Sequence, residues 1–179
     1  MHRKLLLDLL EKHTPINENE LKMRNETIEF VKTNQDCFKR ELLIGHVTGS
    51  AWIVNIARTH VLMMHHRKLN RWFQPGGHCD GDPDVLNVAL KEAYEETGLE
   101  NLKVVHGEVE IYDVDVHQIP EMKGLPAHLH YDIRFLIEAD MNEQLIITEE
   151  SNDLAWVLLE KIAEHNDAES IMRMVRKIF

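Results

Sequence analysis

Three glutamates, Glu92, Glu95 and Glu96, are separated by three and four positions in a segment without proline or glycine. On a helix this spacing places the carboxylates on one side, with about 5–6 Å between Cβ atoms. A solvated charged face is the ordinary alternative, but two electrostatic costs count against it. Glu92 and Glu96 repel each other, and Glu95 and Glu96 lie at the negative end of the helix dipole, just before Gly98. A divalent cation would offset this repulsion, since Mg²⁺ takes carboxylate oxygens together with substrate phosphates. The pattern therefore predicts a metal site that handles phosphate.

A glycine-rich turn precedes this helix, because the chain reads GGHCDGDPDVLNVALKEAYEETGL from residue 76 to residue 99. The stretch resembles the Nudix box, the loop–helix–loop of hydrolases that act on nucleoside diphosphates linked to another group. The box pattern is G-x5-E-x7-R-E-U-x-E-E-x-G-U, where U is a bulky aliphatic residue. Its fixed positions are met at Gly77, Glu92, Glu95, Glu96, Gly98 and Leu99. A match of this length without gaps is more specific than a lone glycine motif.

The chain departs from the box at two positions that look like a supporting shell around the metal ligands. Pro83 stands where the family has its first Glu, and Lys91 replaces the Arg. We predict that Asp82 is the N-cap of the helix and that Pro83 is its first helical residue, where a missing N–H costs nothing. Asp82 or Asp84 would then supply the lost carboxylate from a neighbouring position.

The resemblance implies the ligands and the chemistry of the site. Glu92, Glu95 and Glu96, with the backbone carbonyl of Gly76, would hold Mg²⁺, with Mn²⁺ as an alternative. The two glycines of the turn, Gly76 and Gly77, are also predicted to contact the substrate. The bound ion would neutralise charge on the phosphoryl oxygens and activate a water.

Two further assignments have structural alternatives of equal weight. Arg67 lies in a basic segment at the end of a strand before the box and is predicted to meet phosphate oxygens; a solvated strand end is the alternative. A carboxylate outside the box, Glu138, Glu149 or Glu150, is predicted to join the metal site or accept a proton, and a surface position explains each equally well.

Histidines form a second polar pattern. His128 and His130 fall on one face of a strand with Asp132 and Arg134. Two histidines two positions apart suggest zinc, but no third ligand stands at a telling spacing, so a polar cleft-facing or solvent-facing strand surface is preferred. His78 is explained by a turn position without metal chemistry.

Composition limits the class of protein. The 179 residues, 44% hydrophobic, allow one sizeable core, and the net charge of −11 disfavours generic binding to nucleic acid or to anionic membranes. Only Cys37 and Cys79 are present, so no disulfide framework is implied. The apolar run from Leu5 to Leu10 is too short and polar for a signal peptide or membrane span, which makes a cytoplasmic location the default.

The pattern along the chain divides it at about residue 43. Residues 1–43 read as an N-terminal helical extension, with Asn17 and Glu20 as a capping box, and residues 44–179 as the Nudix domain. Strands are predicted around residues 52–64 as a hairpin, at Val104–Val116, at Tyr131–Ala139 and at Leu154–Leu159, with a last helix at about Asp167–Phe179. The fold class is α/β, and the resemblance implies a Nudix-type α/β/α sandwich with a mixed sheet.

These patterns predict a metal-dependent hydrolase that cleaves the diphosphate bond of a small nucleotide-type substrate. The alternative is a Nudix-fold binding or regulatory module that has lost turnover, which the Pro83 departure favours. The extension would add a third role, either as the interface of a homodimer or as a cap over the cleft.

Overall fold

The computed structural model of the protein describes residues 2–122, 124–149 and 151–179. Its helices and strands, in chain order, are α1 (Lys4–Lys12), α2 (Glu18–Thr33), β1 (Gly45–Asn55), β2 (His60–His66), β3 (Arg71–Phe73), β4 (Gly76–His78), α3 (Val85–Thr97), β5 (Lys103–Val104), β6 (Asp113–Ile119), β7 (His128–Ala139), β8 (Ser151–Leu158), α4 (Ile162–His165) and α5 (Glu169–Ile178). The predicted hairpin is confirmed as β1 and β2, and the last predicted helix as α5.

One predicted strand is wrong in extent. The segment from Val104 to Val116 is interrupted after β5 by a 3₁₀ turn at Val105–Gly107 and resumes as strand only at Asp113. Gly107 ends this turn with a φ of 70°, a left-handed conformation that glycine adopts at little cost and that redirects the chain. The apolar residues of this segment therefore do not form one continuous strand.

The sheet is mixed and is centred on β1 and β7. These two strands run parallel, from Gly45 opposite Leu129 to Asn55 opposite Ala139. The other edge of β1 pairs antiparallel with β4 and then with β2, and β2 in turn pairs with β3 and β8. The free edge of β7 pairs with β6 and β5. This arrangement places the short strand β4 beside the first half of β1.

Helices cover both faces of the sheet. Odd-numbered residues of β1 and β7 join a core with α1, α2 and α3, whereas even-numbered residues such as Trp52 and Val54 pack against Met174 and Val175 of α5. Successive side chains of a strand point to opposite faces, so each face has its own core. The predicted α/β/α sandwich with a mixed sheet is thereby confirmed.

The N-terminal helices are part of the first of these cores. Leu6 and Leu10 of α1 are buried, and the ring of Phe30 in α2 stacks on Tyr131 of β7 with 3.9 Å between centroids. The predicted cap is present, since the Asn17 side chain accepts a hydrogen bond from the Glu20 N–H at 2.9 Å. Among the described helices, none is long and apolar enough to cross a bilayer. The domain boundary at residue 43 stays a prediction.

A buried acid ties α2 to the rest of the fold. Glu20 is fully buried and accepts hydrogen bonds from Lys177 of α5 at 2.6 Å and from the Val114 N–H of β6 at 3.2 Å, with His13 also 2.8 Å away. Burial by itself raises the pKa of the Glu20 carboxyl. The hydrogen bonds with His13 and Lys177 lower that pKa by a larger amount, so that it is about 2. The carboxylate therefore remains charged in the folded protein at any pH above that value.

We expect Glu20→Gln to lower the free energy of unfolding by about 3 kcal/mol at pH 7, because a buried ion pair loses its acid. A depressed pKa contributes stability that is present above the unfolded value of 4.5 and is lost as pH falls through about 2. Urea unfolding at pH 7, 4 and 3 should therefore show the difference between the two proteins shrinking with pH. Glu18→Gln, at an exposed position of the same helix, is the control. An equal pH dependence for wild type and Glu20→Gln would contradict this assignment.

Candidate functional site

The glycine pair of β4 lies directly under the acidic half of α3. Glu92 covers Gly77 so closely that a Cβ on this glycine would stand 2.5 Å from the Glu92 Cδ and 2.6 Å from its Oε2. Glu96, only 7% exposed, accepts a hydrogen bond from the Gly76 N–H at 2.9 Å. The structure thus brings together four residues that the sequence predicts for the site: Gly76, Gly77, Glu92 and Glu96.

Glu95 lies at the solvent-facing rim of this arrangement. Its side chain is 51% exposed, and one carboxylate oxygen is 3.8 Å from the Lys91 Nζ. An exposed pair of this kind on a helix contributes only about 0.3–0.5 kcal/mol, so it gives way easily to a stronger ligand. Glu95 can therefore turn towards a cation that the two more enclosed glutamates also reach.

Packing on β1 fixes where α3 places these acids. Gly49 allows the helix to come close, since a Cβ there would stand 2.7 Å from the Val85 carbonyl oxygen and 3.3 Å from the Ala89 N. The helix ends at Gly98, which has a φ of 75° and donates its N–H to the Tyr94 carbonyl. The apolar stripe of α3 is buried on the sheet, and its carboxylates stand at the edge of that contact.

The predicted start of α3 is wrong by two residues. Asp84, not Asp82, is the N-cap, because its side chain accepts a hydrogen bond from the Asn87 N–H at 3.1 Å. Asp82 accepts from the Asp84 N–H and the Asn87 side chain, so Pro83 precedes the helix instead of opening it. Both aspartates hold the helix start, and a role for either in place of the missing box glutamate stays a prediction.

Asp80, which lies between β4 and α3, is the carboxylate that interacts with the basic residues Arg40 and Lys91. Its side chain forms a two-bond ion pair with Arg40, and this hydrogen bonding lowers the Asp80 pKa, with Lys91 adding to the effect. The same ion pair raises the pKa of Arg40, and the charge of Glu92 contributes to that shift. Arg40 is thus joined to the residue that follows the glycine-rich turn and Cys79, a contact that sequence analysis missed, since nothing in the local sequence distinguishes Arg40 from a surface arginine.

Glu138 does not converge on this site. It lies on the face of the sheet opposite α3, level with Val54, four positions along β1 from the Ser50–Gly76 pair. At about 3.3 Å per residue this separation is roughly 13 Å. Its carboxylate is instead 3.4 Å from the Arg58 guanidinium. This geometry argues against Glu138 as a ligand of the same ion.

Glu149 belongs to a loop that contacts the end of α3. The loop between β7 and β8 crosses the end of α3, where the Ile146 N–H donates to the Thr97 carbonyl at 2.8 Å and the Ile146 side chain covers Gly98. Glu149 is exposed three residues further along this loop. Glu150, the third predicted carboxylate, lies outside the described residues.

Arg67 contacts β8. It is exposed after the end of β2, with its Nε 3.3 Å from the Asn152 Oδ1 and its Nη2 3.5 Å from the Ser151 carbonyl oxygen. No hydrogen bond in the described residues joins it to β4 or α3. Its role in binding substrate therefore stays a prediction.

The face of β4 that points away from α3 is part of a polar surface, which also includes β1, β7 and β6. The predicted row on β7 is confirmed, and the parallel register adds the side chains of His46, Thr48 and Ser50. Asp132 accepts hydrogen bonds from Ser50 at 2.8 Å and from Arg134 at 2.7 Å. The alternation in GHVTGSA was the signal that could have shown this second row.

Histidine rings gather at one end of this surface. His78 lies in β4, not in a turn as predicted, and its ring centroid is 5.0 Å from that of His46 and 5.1 Å from that of His130. Burial lowers the pKa of His46 to about 4 and that of His130 to about 2, and the neighbouring rings add to both shifts. Burial also lowers the pKa of His78. These rings are neutral at pH 7.

A cleft of about 480 Å³ adjoins the polar surface at its far edge. It lies between α2, β6 and α5, and its lining includes Lys22, Asp115, His117 and Arg173. Its size is that of a small-molecule site. The N-terminal extension supplies one wall of this cleft, which none of the box glutamates lines, so its predicted role as a cap over the catalytic cleft stays a prediction.

Comparison with known proteins identifies the family. The sequence profile of the NUDIX domain matches residues 46–178. The chain belongs to the NUDIX family. No curated protein sequence is significantly similar to this NUDIX protein. The matched region begins at His46, so α1, α2 and Arg40 lie outside it.

Solved structures of NUDIX proteins share the fold. An Ap4A hydrolase from C. elegans, in a binary complex, superposes with a TM-score of 0.58 at 18% identity over 73% of this chain and 93% of that one. A MutT protein from Methanosarcina mazei Go1 gives 0.55 at 18% identity, covering 75% and 92%. The E. coli dihydroneopterin triphosphate pyrophosphohydrolase gives 0.54 at 15% identity, covering 73% and 92%. At these identities the likeness shows the fold alone.

We expect Gly77→Ala to impair metal use while changing the free energy of unfolding by less than about 1 kcal/mol. The added Cβ meets the far end of Glu92, a flexible side chain that moves away without disturbing the backbone. Displacing one ligand should raise the Mg²⁺ concentration for half-maximal activity by about 10- to 100-fold.

Gly81→Ala provides the matched control for this change. It has open space around the new Cβ but a φ of 94°, so it should lose about 1–2 kcal/mol of stability and keep its Mg²⁺ dependence. Equal Mg²⁺ dependence in Gly77→Ala and wild type would show that Glu92 does not hold the ion.

Proposed function

We propose that this NUDIX protein is a metal-dependent hydrolase that cleaves the diphosphate bond in a nucleoside diphosphate linked to another group. The observation that carries the proposal is the placement of Glu92 and Glu96 on the Gly76–Gly77 pair, with Glu95 at the rim. Three carboxylates around a backbone without side chains form an oxygen-rich site that is open to a phosphate. NUDIX hydrolases act on nucleoside diphosphate derivatives, and this site retains the acids for that chemistry.

The donor set fits a hard divalent cation. Glu92, Glu95, Glu96 and the Gly76 carbonyl would hold Mg²⁺, or Mn²⁺ in its place, because both prefer oxygen ligands. Such an ion, when bound, neutralises charge on the phosphoryl oxygens and lowers the pKa of an attacking water. The absence of a Cβ on Gly77 leaves the room that the Glu92 carboxylate occupies.

Side chains of this protein would bind the phosphate of the substrate and accept the proton of the attacking water. Arg40, paired with Asp80, presents a guanidinium suited to phosphate oxygens, and the effect of the Glu92 charge on its pKa supports a role for Arg40 at this site. Lys91 adds a second positive charge next to Glu95. The proton of the water would pass to one of the box glutamates or to Glu149, in the loop before β8.

The proposed partner is a small nucleotide-type molecule, in keeping with the class of substrate on which NUDIX hydrolases act. The net charge of −11 disfavours nucleic acid as a partner.

A substrate screen tests the proposal. The full chain is incubated with Mg²⁺ or Mn²⁺ and with nucleoside triphosphates, nucleotide sugars, ADP-ribose, dinucleoside polyphosphates, coenzyme A and dihydroneopterin triphosphate. The result that we expect is metal-dependent release of a phosphorylated product from at least one of them. Tight binding without product from any would overturn the hydrolase and support the alternative, a NUDIX-fold binding or regulatory module, which Pro83 in the place of the first box Glu favours.

Two other expectations accompany this proposal. Both described cysteines are free and buried, in keeping with a reducing, cytoplasmic location. A homodimer through residues 1–43 is tested by the mass of the full chain in solution, because deleting α1 and α2 would remove Leu6, Leu10 and Phe30 from the core. A monomeric mass would exclude the dimer.

A further inference from the structure

Three imidazoles from three strands meet on the polar face of the sheet. His46 of β1, His78 of β4 and His130 of β7 each place a ring nitrogen within 4.8 Å of the other two. The Nε2 atoms of His46 and His130 are 3.1 Å apart. The residues are 32 and 52 positions apart in the chain, so no local spacing announces them.

These distances are close to those of a metal site. A tetrahedral Zn²⁺ with bonds of 2.0–2.1 Å separates its nitrogen ligands by about 3.3–3.4 Å. The His46 and His130 nitrogens are already close to this separation. A shift of at most about 1.5 Å in the His78 ring would bring its nitrogen to the same distance from both. A hydrogen-bonded pair of neutral imidazoles is the simpler explanation of the 3.1 Å contact, but it gives no role to the third ring.

The surroundings favour ligation. His128 supplies a further ring, 5.1 Å from His46 and 5.3 Å from His130 between centroids. His78, His128 and His130 are partly exposed, so an ion can enter from solvent.

This cluster is separate from the carboxylates. Successive residues of a strand point to opposite faces, and in β4 the Gly77 side meets Glu92, whereas His78 faces His46. The two donor sets also differ in preference, since imidazole suits zinc and carboxylate oxygens suit magnesium. Two different ions can thus bind on the two faces of one three-residue strand.

We propose that His46, His78 and His130 together bind one Zn²⁺, with His128 or a water as the fourth ligand. The ion joins β1, β4 and β7, and so holds in place the strand that carries Gly76 and Gly77. The proposed ion positions β4 and goes beyond the proposed hydrolysis, which uses the carboxylates on the other face of the sheet.

Metal content and binding test this site on the full chain, with any affinity tag removed. Protein stripped by a chelator is titrated with Zn²⁺, and with Co²⁺ to follow the visible absorption of a four-coordinate ion. We expect one Zn²⁺ per chain, and at least tenfold weaker binding in His46→Asn, His130→Gln and His78→Gln. His78 is partly exposed, so its variant remains informative if a change at the buried His46 prevents folding.

Two controls separate the outcomes. His165→Gln, on α4 outside the cluster, and Glu95→Gln, in the carboxylate site, should both keep wild-type zinc binding. The proposal is overturned if the stripped protein binds no zinc, if the three cluster variants bind it as wild type does, or if Glu95→Gln loses it. Failure of Mg²⁺-dependent hydrolysis, by contrast, would leave this result unchanged.

Discussion

Glu96→Gln reduces the Mg²⁺-dependent hydrolysis rate by about 10²- to 10³-fold while leaving the fold in place. Glutamine retains an oxygen that accepts the Gly76 N–H, so the 2.9 Å hydrogen bond between α3 and β4 is preserved. The substitution removes only the negative charge that a cation requires. The expected loss is therefore in turnover and metal affinity, with the melting temperature nearly unchanged.

Steady-state kinetics against Mg²⁺ concentration, on the best substrate of the screen, measures this effect. Glu95→Gln should behave similarly, because an exposed side chain paired with the exposed Lys91 makes little contribution to stability. Glu164→Gln, an exposed glutamate on α4, should retain full activity. Wild-type rates in both box variants would exclude the carboxylates as metal ligands and, with them, the proposed mechanism.

Arg134→Met lowers the free energy of unfolding by about 3–5 kcal/mol, the largest effect on stability that we expect from a single substitution. Arg134 is 3% exposed and contacts three buried carboxylates, with 2.7 Å to Asp132 and 3.2 Å to both Asp113 and Asp115. Burial lowers its pKa, but the three acids raise it above the usual value. Methionine fills similar space and leaves those acids short of a cation.

Arg173 and Lys177 limit the damage, because they still compensate Asp113. Denaturant unfolding at pH 7 measures the change, and Arg176→Met is the matched control. Arg176 is 47% exposed and pairs with an exposed Glu169, so its loss should amount to less than about 1 kcal/mol. Comparable losses in the two variants would mean that the buried network adds no more than a surface pair.

The candidate site was predictable where it depends on local spacing. Glu92, Glu95 and Glu96 share a helix, so helical geometry alone placed the three carboxylates on one side of it, whereas Gly76 and Gly77 came from the resemblance to the box. The N-cap was wrongly assigned to Asp82, because Asp82 and Asp84 both suit a helix start. Only the hydrogen bonds distinguish the one that caps from the one that forms the preceding turn.

Residues from distant segments were not predictable in the same way. Arg40 pairs with Asp80, 40 positions further along the chain, and Glu138 is directed away from the site by strand parity and register. The Arg134 network likewise combines acids of β6 and β7 with cations of α5. Each of these depends on which strand lies beside which, and a single sequence does not encode that in its local pattern.

The sequence by itself determined the family, the α/β class, the acidic half of the site and the positions of most strands and helices. These follow from periodicities of two and about 3.6 residues and from contiguous motifs, which act over one element at a time. The tertiary structure alone decided that His46, His78 and His130 share one surface and that Glu138 faces away from α3. The physical reason is the parallel register of β1 and β7, which brings together side chains more than 80 positions apart.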